Sequence, residues 1–401
     1  MIDAVVAGHI CLDLIPRFLA SAGDDMEAYV APGRLTEVGP LALSTGGAVS
    51  NTGINLHLLG ADTRLMGKIG DDLIGRAILQ MIARYGEALA EGMIVVPEAI
   101  SSYTIVLNPP GVDRAFLHCP GANHTFGADD LRYDVIRQSR LFHFGYPPLL
   151  RRMYSDGGGE LLTMFRRAKE AGATTSLDLA MPDPSGPSGQ VDWRTILHAV
   201  LSQVDLFVPS VEELLFMLDR RQFETLEAAA GAARMLERIG VETIRRLVGE
   251  ALAWGAKVVV LKLGTRGIYL RTAAHLSAMG RGTPQGLDRW EGREMWAPPF
   301  RPRQVASTVG AGDAAIAGFL AAWCRGEAPA RALQMAAAAG ASCVEEAGAV
   351  RGVGSWEATV QRIASGWEHL MTRAPGLGWQ WDAGEGVWRG PQDADYRGSS
   401  L

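Results

Sequence analysis

The residues from 305 to 323 join a glycine-rich turn to an apolar helix with one carboxylate between them. Gly310, Ala311, Gly312 and Asp313 precede apolar residues that recur at the helical period. The first N–H groups of a helix have no partner within it and carry positive potential, so such a turn can hold a phosphate or an oxyanion. The same field favours an ionised Asp313, which could act as a base. The alternative is structural, because Asp is a good N-cap and glycine-rich turns precede many helices.

A second cluster of small and polar residues lies near the start of the chain. Asp13 follows the first apolar run, and Gly46 and Gly47 form a tight turn before a predicted helix at 48–59. Asn51 falls in the first turn of that helix. Taken alone, Asp13 can be solvated at a strand end and Asn51 can cap its own helix.

Composition and charge indicate an ordinary globular enzyme. The 401 residues are 48% hydrophobic and 20% charged, with a net charge of −6 that argues against a nucleic-acid partner. No apolar run is long enough to span a bilayer, and the N-terminus does not have the pattern of a signal peptide. The four cysteines lack metal-ligand spacing, so we expect reduced thiols in a cytoplasmic protein.

Strand-like and helix-like segments alternate along most of the chain, which predicts a parallel sheet covered by helices on both faces. The predicted strands of this sheet are 4–10, 63–69, 141–144, 174–179, 206–208 and 258–263. The predicted helices are 48–59, 73–85, 161–171, 211–218, 226–239, 241–254, 328–345 and 356–371.

Short strand-like runs outside this alternation predict a small antiparallel sheet. They lie at 94–96, 102–107 and 115–119, and the turn between the last two contains Asp113. Residues 277–293 are rich in Gly, Arg and polar groups, which predicts an exposed insertion. The segment 373–401 carries several tryptophans without a helical pattern, and we expect it to dock on the surface through them.

The P-loop, the dinucleotide-binding fingerprint and the protein-kinase motifs are absent from the sequence. Two motifs in order, Gly-Gly-x-x-x-Asn at 46–51 and Ser-Thr-x-Gly-Ala-Gly-Asp at 307–313, resemble instead those of the ribokinase-like (PfkB family) carbohydrate kinases. The resemblance covers roughly residues 3–370. It implies a three-layer α/β/α domain over 1–372 with a mainly parallel central sheet. It also implies a small antiparallel β lid with strands from about 13–45 and 94–120.

The resemblance implies a division of roles for phosphoryl transfer. Asp313 would take the proton from the acceptor hydroxyl, and the N–H groups of Gly310 to Gly312 would stabilise the charge on the transferred group. The implied substrate-binding residues are Asp13, Gly46, Gly47 and Asn51.

The resemblance further implies ATP and Mg²⁺ as cofactors. Gly264, Thr265 and Gly267 would approach the nucleotide, and Glu213 would order Mg²⁺ through water. Glu213 has an alternative as an ordinary acid in the first turn of a helix. Ser307 stands where the family usually has Asp, and a hydroxyl offers less charge, so dependence on a monovalent cation stays open.

The sequence therefore predicts ATP-dependent phosphorylation of a primary hydroxyl of a monosaccharide or sugar-like substrate. Sugar and ATP are the expected partners, with no nucleic acid and no membrane, and the resemblance allows a homodimer through the lid. Two alternatives remain: a nucleoside kinase of the same fold, and a non-catalytic sugar-binding regulator. The sugar and the role of the tail are not specified by the motifs.

Overall fold

The computed structural model describes residues 1–19, 25–112, 115–370 and 373–395. In chain order the strands are β1 (Ile2–Gly8), β2 (Cys11–Phe18), β3 (Val38–Gly46), β4 (Thr63–Met66), β5 (Lys68–Gly70), β6 (Ile94–Val96), β7 (Tyr103–Leu107), β8 (Ala115–Cys119), β9 (Ser139–Gly145), β10 (Thr174–Leu177), β11 (Leu206–Phe207), β12 (Val258–Lys262), β13 (Ile268–Thr272), β14 (Glu294–Ala297), β15 (Gln380–Asp382) and β16 (Val387–Arg389). The helices are α1 (Ala48–Leu58), α2 (Leu73–Ala83), α3 (Glu87–Ala90), α4 (Tyr133–Ile136), α5 (Arg151–Tyr154), α6 (Gly159–Glu170), α7 (Pro187–Gln190), α8 (Trp193–Val200), α9 (Val211–Leu218), α10 (Arg220–Ala230), α11 (Ala232–Arg238), α12 (Val241–Ala253), α13 (Ala311–Arg325), α14 (Pro329–Cys343) and α15 (Trp356–Ala364).

The central sheet has the order β15-β16-β14-β13-β12-β11-β10-β9-β1-β4 among the described strands. The strands from β4 to β12 in this order pair in parallel, and the remaining strands pair antiparallel. The parallel part consists of the strands that alternate with helices along the chain, since a parallel connection needs a crossover. This confirms the predicted α/β class.

Helices cover both faces of the sheet, as the alternating side chains of β1 show. Ala4 and Val6 pack into the core that contains α1, α13 and α14, whereas Val5 and Ala7 pack into the core that contains α6, α8, α9 and α12. Burial on both faces explains why the strand is a continuous apolar run instead of an alternating one. In the described residues, no helix is both long and apolar enough to cross a bilayer.

The lid is a four-stranded sheet in the described part of the chain, with the order β3-β2-β7-β8. Its two outer pairs are antiparallel, and its central pair, β2 with β7, is parallel. The segment Ile94–Val96, expected in the lid, lies elsewhere: as β6 it pairs in parallel with β5. β5 follows β4 after a single residue, and the sequence does not specify which segment pairs with β5. The predicted turn residue Asp113 is outside the described residues.

The C-terminal tail forms more backbone pairing than its tryptophans alone indicated. Within the part of 373–401 that the structure describes, β15 and β16 make a hairpin, and Met295 and Trp296 of β14 pair with Arg389 and Trp388 of β16. The hairpin thus extends the central sheet. Strands of three residues have too little periodicity to be recognised in a sequence.

The prediction of an exposed insertion at 277–293 is wrong for part of the segment, since exposed and buried residues are interspersed along it. Met279 and Trp290 are buried in the core, and the Arg281 guanidinium donates to the carbonyl oxygens of Ser139, Ala171 and Ile136. A guanidinium can satisfy several buried carbonyl groups at once, so a polar segment becomes part of the interior.

Two helix predictions were too long. The helix predicted at 226–239 is broken at Gly231, whose φ of 71° ends α10 before α11 begins. The last helix ends at Ala364, well before the predicted Met371, which is itself outside the described residues. Gly366, with φ of 83°, follows the helix end, as is common for a glycine after a C-terminus.

Candidate active site

The glycine-rich turn leads directly into α13 with the backbone geometry that only glycine adopts easily. Gly310 is the N-cap residue with φ of 79°, and a Cβ there would lie 2.3 Å from the Cβ of Ala349. Asp313 follows in the first turn of α13, where its side chain is 3% exposed. The turn therefore places a buried carboxylate beside the free N–H groups of a 15-residue helix.

Three neutral side chains donate hydrogen bonds to the Asp313 carboxylate. The Tyr146 hydroxyl lies 2.8 Å from both Oδ1 and Oδ2, the Asn51 amide lies 3.0 Å from Oδ2, and the Thr52 hydroxyl lies 3.3 Å from Oδ1. Asn51 and Thr52 come from the first turns of α1, and Tyr146 follows β9. The structure thus joins the two glycine-rich motifs through Asn51 and Asp313, 262 residues apart.

Tyr146 and Thr52 were not identified from the sequence as site residues. Tyr146 has φ of 68°, in the left-handed region that non-glycine residues rarely occupy, and this directs its ring back toward Asp313. The sequence indicated only that Tyr146 follows a strand. Residues at the carboxyl end of a parallel strand commonly line a ligand site. Nothing in the local sequence indicated its backbone conformation.

Burial and charge act on Asp313 in opposite directions. Burial raises the pKa of Asp313, whereas Lys262 and the hydrogen bonds from Tyr146, Asn51 and Thr52 lower it, and the net direction is upward. A carboxylate in this environment is a stronger base than one in water.

Lys262, at the end of β12, supplies a buried cation that the sequence reading also missed. Its Nζ lies 2.6 Å from Oδ1 of Asp178, which is fully buried after β10. Burial alone would lower the pKa of Lys262, but Asp178, Glu213 and Asp313 raise it, so the ammonium stays protonated. Lys262 lines the same cleft as Gly312, which places positive charge next to the glycine-rich turn.

The residues expected at the nucleotide line a cleft of about 560 Å³ together with the glycine-rich turn. Gly264, Thr265 and Gly267 belong to the connection between β12 and β13. A Cβ at Gly267 would lie 2.1 Å from the carbonyl oxygen of Ala297, so a side chain there would displace the backbone. Apolar residues form a further part of the lining, called here the apolar wall: Pro299, Phe300, Pro302, Val305, Ala336, Ala337, Ala341, Val344 and Leu370.

Glu213 reaches the same cleft from the first turn of α9. One carboxylate oxygen accepts a hydrogen bond of 2.8 Å from the Ser210 backbone N–H in a capping box. Glu213 therefore also has the structural role of an acid in the first turn of a helix. No described residue hydrogen-bonds to the other oxygen, and Glu213 is among the residues that line the cleft. In the described residues, no three His, Cys, Asp or Glu side chains are grouped closely enough to hold a metal. One carboxylate beside a phosphate site fits the mode in which Mg²⁺ keeps several waters.

The expected substrate residues meet where the lid joins the main sheet. Asp13 lies on β2, and a Cβ at Gly46 would be 2.5 Å from its Oδ2, so the glycine leaves room for the carboxylate. Burial raises the pKa of Asp13 to about 6, although hydrogen bonds from Cys11 and Thr104 lower it. Gly47, with φ of 90°, lets the chain turn into α1 close to His9. The remaining expected residue, Asn51, faces Asp313.

Ser307 holds the segment before the glycine-rich turn by local hydrogen bonds. Its hydroxyl accepts from the Val309 N–H at 3.2 Å, and its own N–H donates to the Val344 carbonyl at 3.3 Å. The serine therefore stabilises the turn through neutral contacts.

Comparisons with known proteins agree with this architecture. A protein of Archaeoglobus fulgidus described as an uncharacterized sugar kinase is 24% identical over 300 residues, which is 75% of this chain and 98% of that protein. The probable fructokinase-4 of Arabidopsis thaliana is 26% identical over 212 residues, 52% of this chain and 60% of that protein.

Solved structures of similar fold include fructokinase with bound ATP from Xylella fastidiosa, at 19% identity and a TM-score of 0.66. Arabidopsis thaliana ribokinase complexed with ribose and ATP has 18% identity and the same TM-score. Each alignment covers 90% of this chain and 98% of the other, and shows the shared fold.

The sequence profile described as pfkB family carbohydrate kinase matches residues 1–354, which include both glycine-rich motifs, the lid and every residue that lines the cleft except Leu370. The chain therefore belongs to the PfkB family and is a sugar kinase, a phosphotransferase of the ribokinase-like fold.

Proposed function

We propose that this chain transfers the γ-phosphoryl group of ATP to a primary hydroxyl of a monosaccharide or sugar-like alcohol. The observation that carries the proposal is the position of Asp313. It accepts from Asn51 of the substrate-side turn and lines the cleft that contains Gly264 to Gly267. One carboxylate thus adjoins both expected ligands.

Asp313 acts as the base in this proposal. As the acceptor oxygen attacks the γ-phosphorus, its proton passes to Asp313, and the bond from phosphorus to the β-phosphate oxygen breaks to release ADP. The raised pKa of Asp313 favours proton acceptance. Tyr146, Asn51 and Thr52 hold the carboxylate in one orientation, which is what a positioned base requires.

The transferred group would be stabilised from two sides. The N–H groups of Gly310, Ala311 and Gly312 would form the anion hole at the start of α13, with the Ala311 N–H giving up its 3.4 Å hydrogen bond to the Thr308 carbonyl, and the Lys262 ammonium adds a full positive charge. Preorganised donors in a water-poor site stabilise developing charge strongly, and phosphoryl transfer depends mainly on such stabilisation.

ATP would lie in the cleft, its phosphates toward the glycine-rich turn and its base against the apolar wall. Gly264, Thr265 and Gly267 allow close approach of the backbone. Glu213 would hold Mg²⁺ through water with its free oxygen, and Mg²⁺ would neutralise phosphate charge. Ser307 provides only a neutral oxygen near the turn. An assay with and without K⁺ tests whether the protein requires a monovalent cation.

We further propose a homodimer through the lid and a cytoplasmic location. Leu41, Leu43 and Leu117 on the lid strands are 55%, 43% and 57% exposed, and a second lid would cover them. The described cysteines are free thiols, as in a reducing compartment. Light scattering on the purified protein measures the dimer directly, and a strictly monomeric protein would contradict it.

A nucleoside kinase is the second candidate, because Tyr146, which hydrogen-bonds to Asp313, belongs to a group of three aromatic rings. The His9 ring centroid is 5.4 Å from that of His118 and 6.3 Å from that of Tyr146, and rings of this kind can stack on a nucleobase. A neighbour of similar fold, from Methanocaldococcus jannaschii, is itself described as a nucleoside kinase. A non-catalytic regulator remains the third reading, and the buried base argues against it.

The test is ADP release from ATP and Mg²⁺ with D-fructose, D-ribose and adenosine, with and without K⁺. We expect turnover with at least one sugar, and a loss of about 10²–10⁴ in kcat for Asp313→Asn with unchanged ATP affinity. Preferential turnover of adenosine would favour the nucleoside kinase. Undiminished turnover in Asp313→Asn would contradict the role of Asp313 as the base. Binding of a sugar without ADP release would favour the non-catalytic regulator.

A further inference from the structure

One face of the lid carries a row of polar side chains across all four of its described strands. Asp13 of β2 is paired in register with Ser44 of β3 on one side and with Thr104 of β7 on the other, and Thr104 is paired with His118 of β8. Side chains of directly paired residues point to the same face of a sheet. Ser44, Asp13, Thr104 and His118 therefore form one continuous line, called here the polar row.

On one side of the polar row, the next residue along each strand is apolar and points to the opposite face. Leu43, Leu14, Ile105 and Leu117 are paired in the same order across the same four strands. The polar row is thus one rung of its face, because Ile15, Ala42, Val106 and Phe116, two positions further along the same four strands, are apolar. Solvation alone does not explain the polar row, because Thr104 is buried and Asp13 is largely so.

His9 of the main sheet meets the end of the polar row. Its ring lies 5.4 Å from the ring of His118, and the His118 Nδ1 is 2.9 Å from the Thr104 hydroxyl. His9 is 3% exposed, yet neither of its ring nitrogens has a hydrogen-bond partner in the described residues. Leaving buried polar groups unpaired is costly, and such groups commonly mark the place of a ligand.

The backbone holds the His9 ring in place. The His9 N–H donates to the Gly145 carbonyl at 3.3 Å, and its carbonyl accepts from the Val49 N–H at 3.1 Å. Burial, with His118 and His124, lowers the pKa of His9 to about 3, so the imidazole is neutral near pH 7. It then offers one donor and one acceptor, a combination suited to a hydroxyl group.

The charges at this end of the site disfavour an anionic acceptor. Cys11, Thr104, His118 and His124 are the described groups that shift the pKa of Asp13 or of His9, and the cation Arg151 acts on His124 and not on either of these two. Asp13 itself contributes negative charge above a pH of about 6. A phosphate or carboxylate on the acceptor would be desolvated here without a cation to pair with.

We infer that His9 and the polar row bind the hydroxyl groups of the acceptor and select an uncharged polyhydroxy compound over phosphorylated or acidic ones. His118 connects the lid to His9 and determines this specificity. The inference rests on the proposed function, because it assigns the acceptor to the side of Asp313 that faces the lid.

The experiment compares two variants of adjacent residues on β8, His118→Ala and Leu117→Ala. The first removes the end of the polar row, and the second alters the opposite face. With whichever of D-fructose, D-ribose or adenosine is turned over, we expect His118→Ala to raise the acceptor KM roughly tenfold with an unchanged KM for ATP. His9→Leu should do the same, and Leu117→Ala should not. Equal effects of the two β8 variants would overturn the assignment.

The same compounds are compared with gluconate and fructose 6-phosphate, by ADP release and by thermal shift. We expect an uncharged compound to give the higher kcat/KM and the larger stabilisation. A preference for either anionic compound, or no stabilisation by any uncharged compound, would overturn the inference. Stabilisation that depends on His118 but is not accompanied by ADP release would instead count against the proposed function.

Discussion

Two fully buried carboxylates, Asp313 at the start of α13 and Glu294 in β14, have opposite surroundings. Glu294 accepts from the Arg245 guanidinium at 2.8 and 3.3 Å, from the Tyr269 hydroxyl at 2.9 Å and from the Gln392 N–H at 2.9 Å. Asp313 accepts only from neutral side chains. Both carboxylates are satisfied, but only Glu294 has a directly hydrogen-bonded cation.

The comparison separates a structural acid from a chemical one. The Arg245 guanidinium forms an ion pair with both oxygens of Glu294, so that carboxylate is committed to structural contacts. Neutral donors fix the position of Asp313 while burial keeps its pKa raised. The Glu294 cluster also binds the tail, because Gln392 follows β16. Its contacts hold the tail on the sheet, and Glu294 is not among the residues that line the cleft.

The largest effect on stability is expected for Glu294→Gln. The change leaves the Arg245 guanidinium, which is 14% exposed, without its full counter-charge. Breaking a buried ion pair costs about 3–5 kcal/mol in the free energy of unfolding. Urea unfolding should show this loss, whereas kcat/KM under native conditions should stay close to that of the wild type.

Asp313→Asn is the matched control for that experiment. Because burial raises the pKa of Asp313, the folded state binds this proton more tightly than the unfolded state does, and the ionised carboxylate lowers stability at neutral pH. The neutral amide should therefore leave the free energy of unfolding near the wild-type value. A large loss of stability in Asp313→Asn, or of activity in Glu294→Gln, would contradict the division between the two acids.

A smaller but specific loss of activity is expected for Lys262→Met, which keeps the apolar stem and removes the ammonium. We expect kcat to fall by about 10²–10³ from lost charge stabilisation. The single variant also leaves Asp178 buried without its partner, so stability should fall as well. Lys262→Met combined with Asp178→Asn should recover thermal stability but not kcat. Wild-type kcat in the double variant would show that the pair is structural only.

The smallest effect is expected for Tyr146→Phe. Its hydroxyl proton, shared between the two carboxylate oxygens, lowers the pKa of Asp313, so removal of the hydroxyl raises that pKa further. Since Asp313 must be ionised to accept a proton, activity is lost as the pH falls through its pKa. The acid limb of kcat/KM should therefore move to higher pH, with kcat reduced about tenfold. An unchanged pH profile would contradict a positioning role for Tyr146.

Much of the fold could be predicted because its signals are local. The buried runs of β1, β9 and β12, the turn at Gly310 and the helix period after it each lie within a few residues. The parallel order of the central strands follows from their alternation with helices. The tail hairpin and the buried part of 277–293 could not be predicted, because their stability comes from partners such as β14 and the carbonyl groups around Arg281.

The residues of the site also divide into those that the sequence indicated and those that it did not. Glycines at 46, 47, 310 and 312 are recognisable because a turn needs their backbone freedom close by in sequence. Tyr146 and Lys262 are not, since a left-handed tyrosine and a buried ammonium acquire their roles only from Asp313 and Asp178, which are distant in the chain. The polar row shows no pattern within any one strand. It appears only when four strands are paired in register.

The sequence by itself determined the class of fold, the two glycine-rich motifs and the identity of the buried acid. Backbone conformation and hydrophobic period depend on residues that are close together in the chain. Only the tertiary structure decided which side chains surround that acid, which cation lies near it, and which face of the lid meets His9. These depend on strand order, register and burial. Hydrogen bonds and electrostatic interactions act through space, and residues more than 200 positions apart, such as Asn51 and Asp313, become neighbours only in the folded chain.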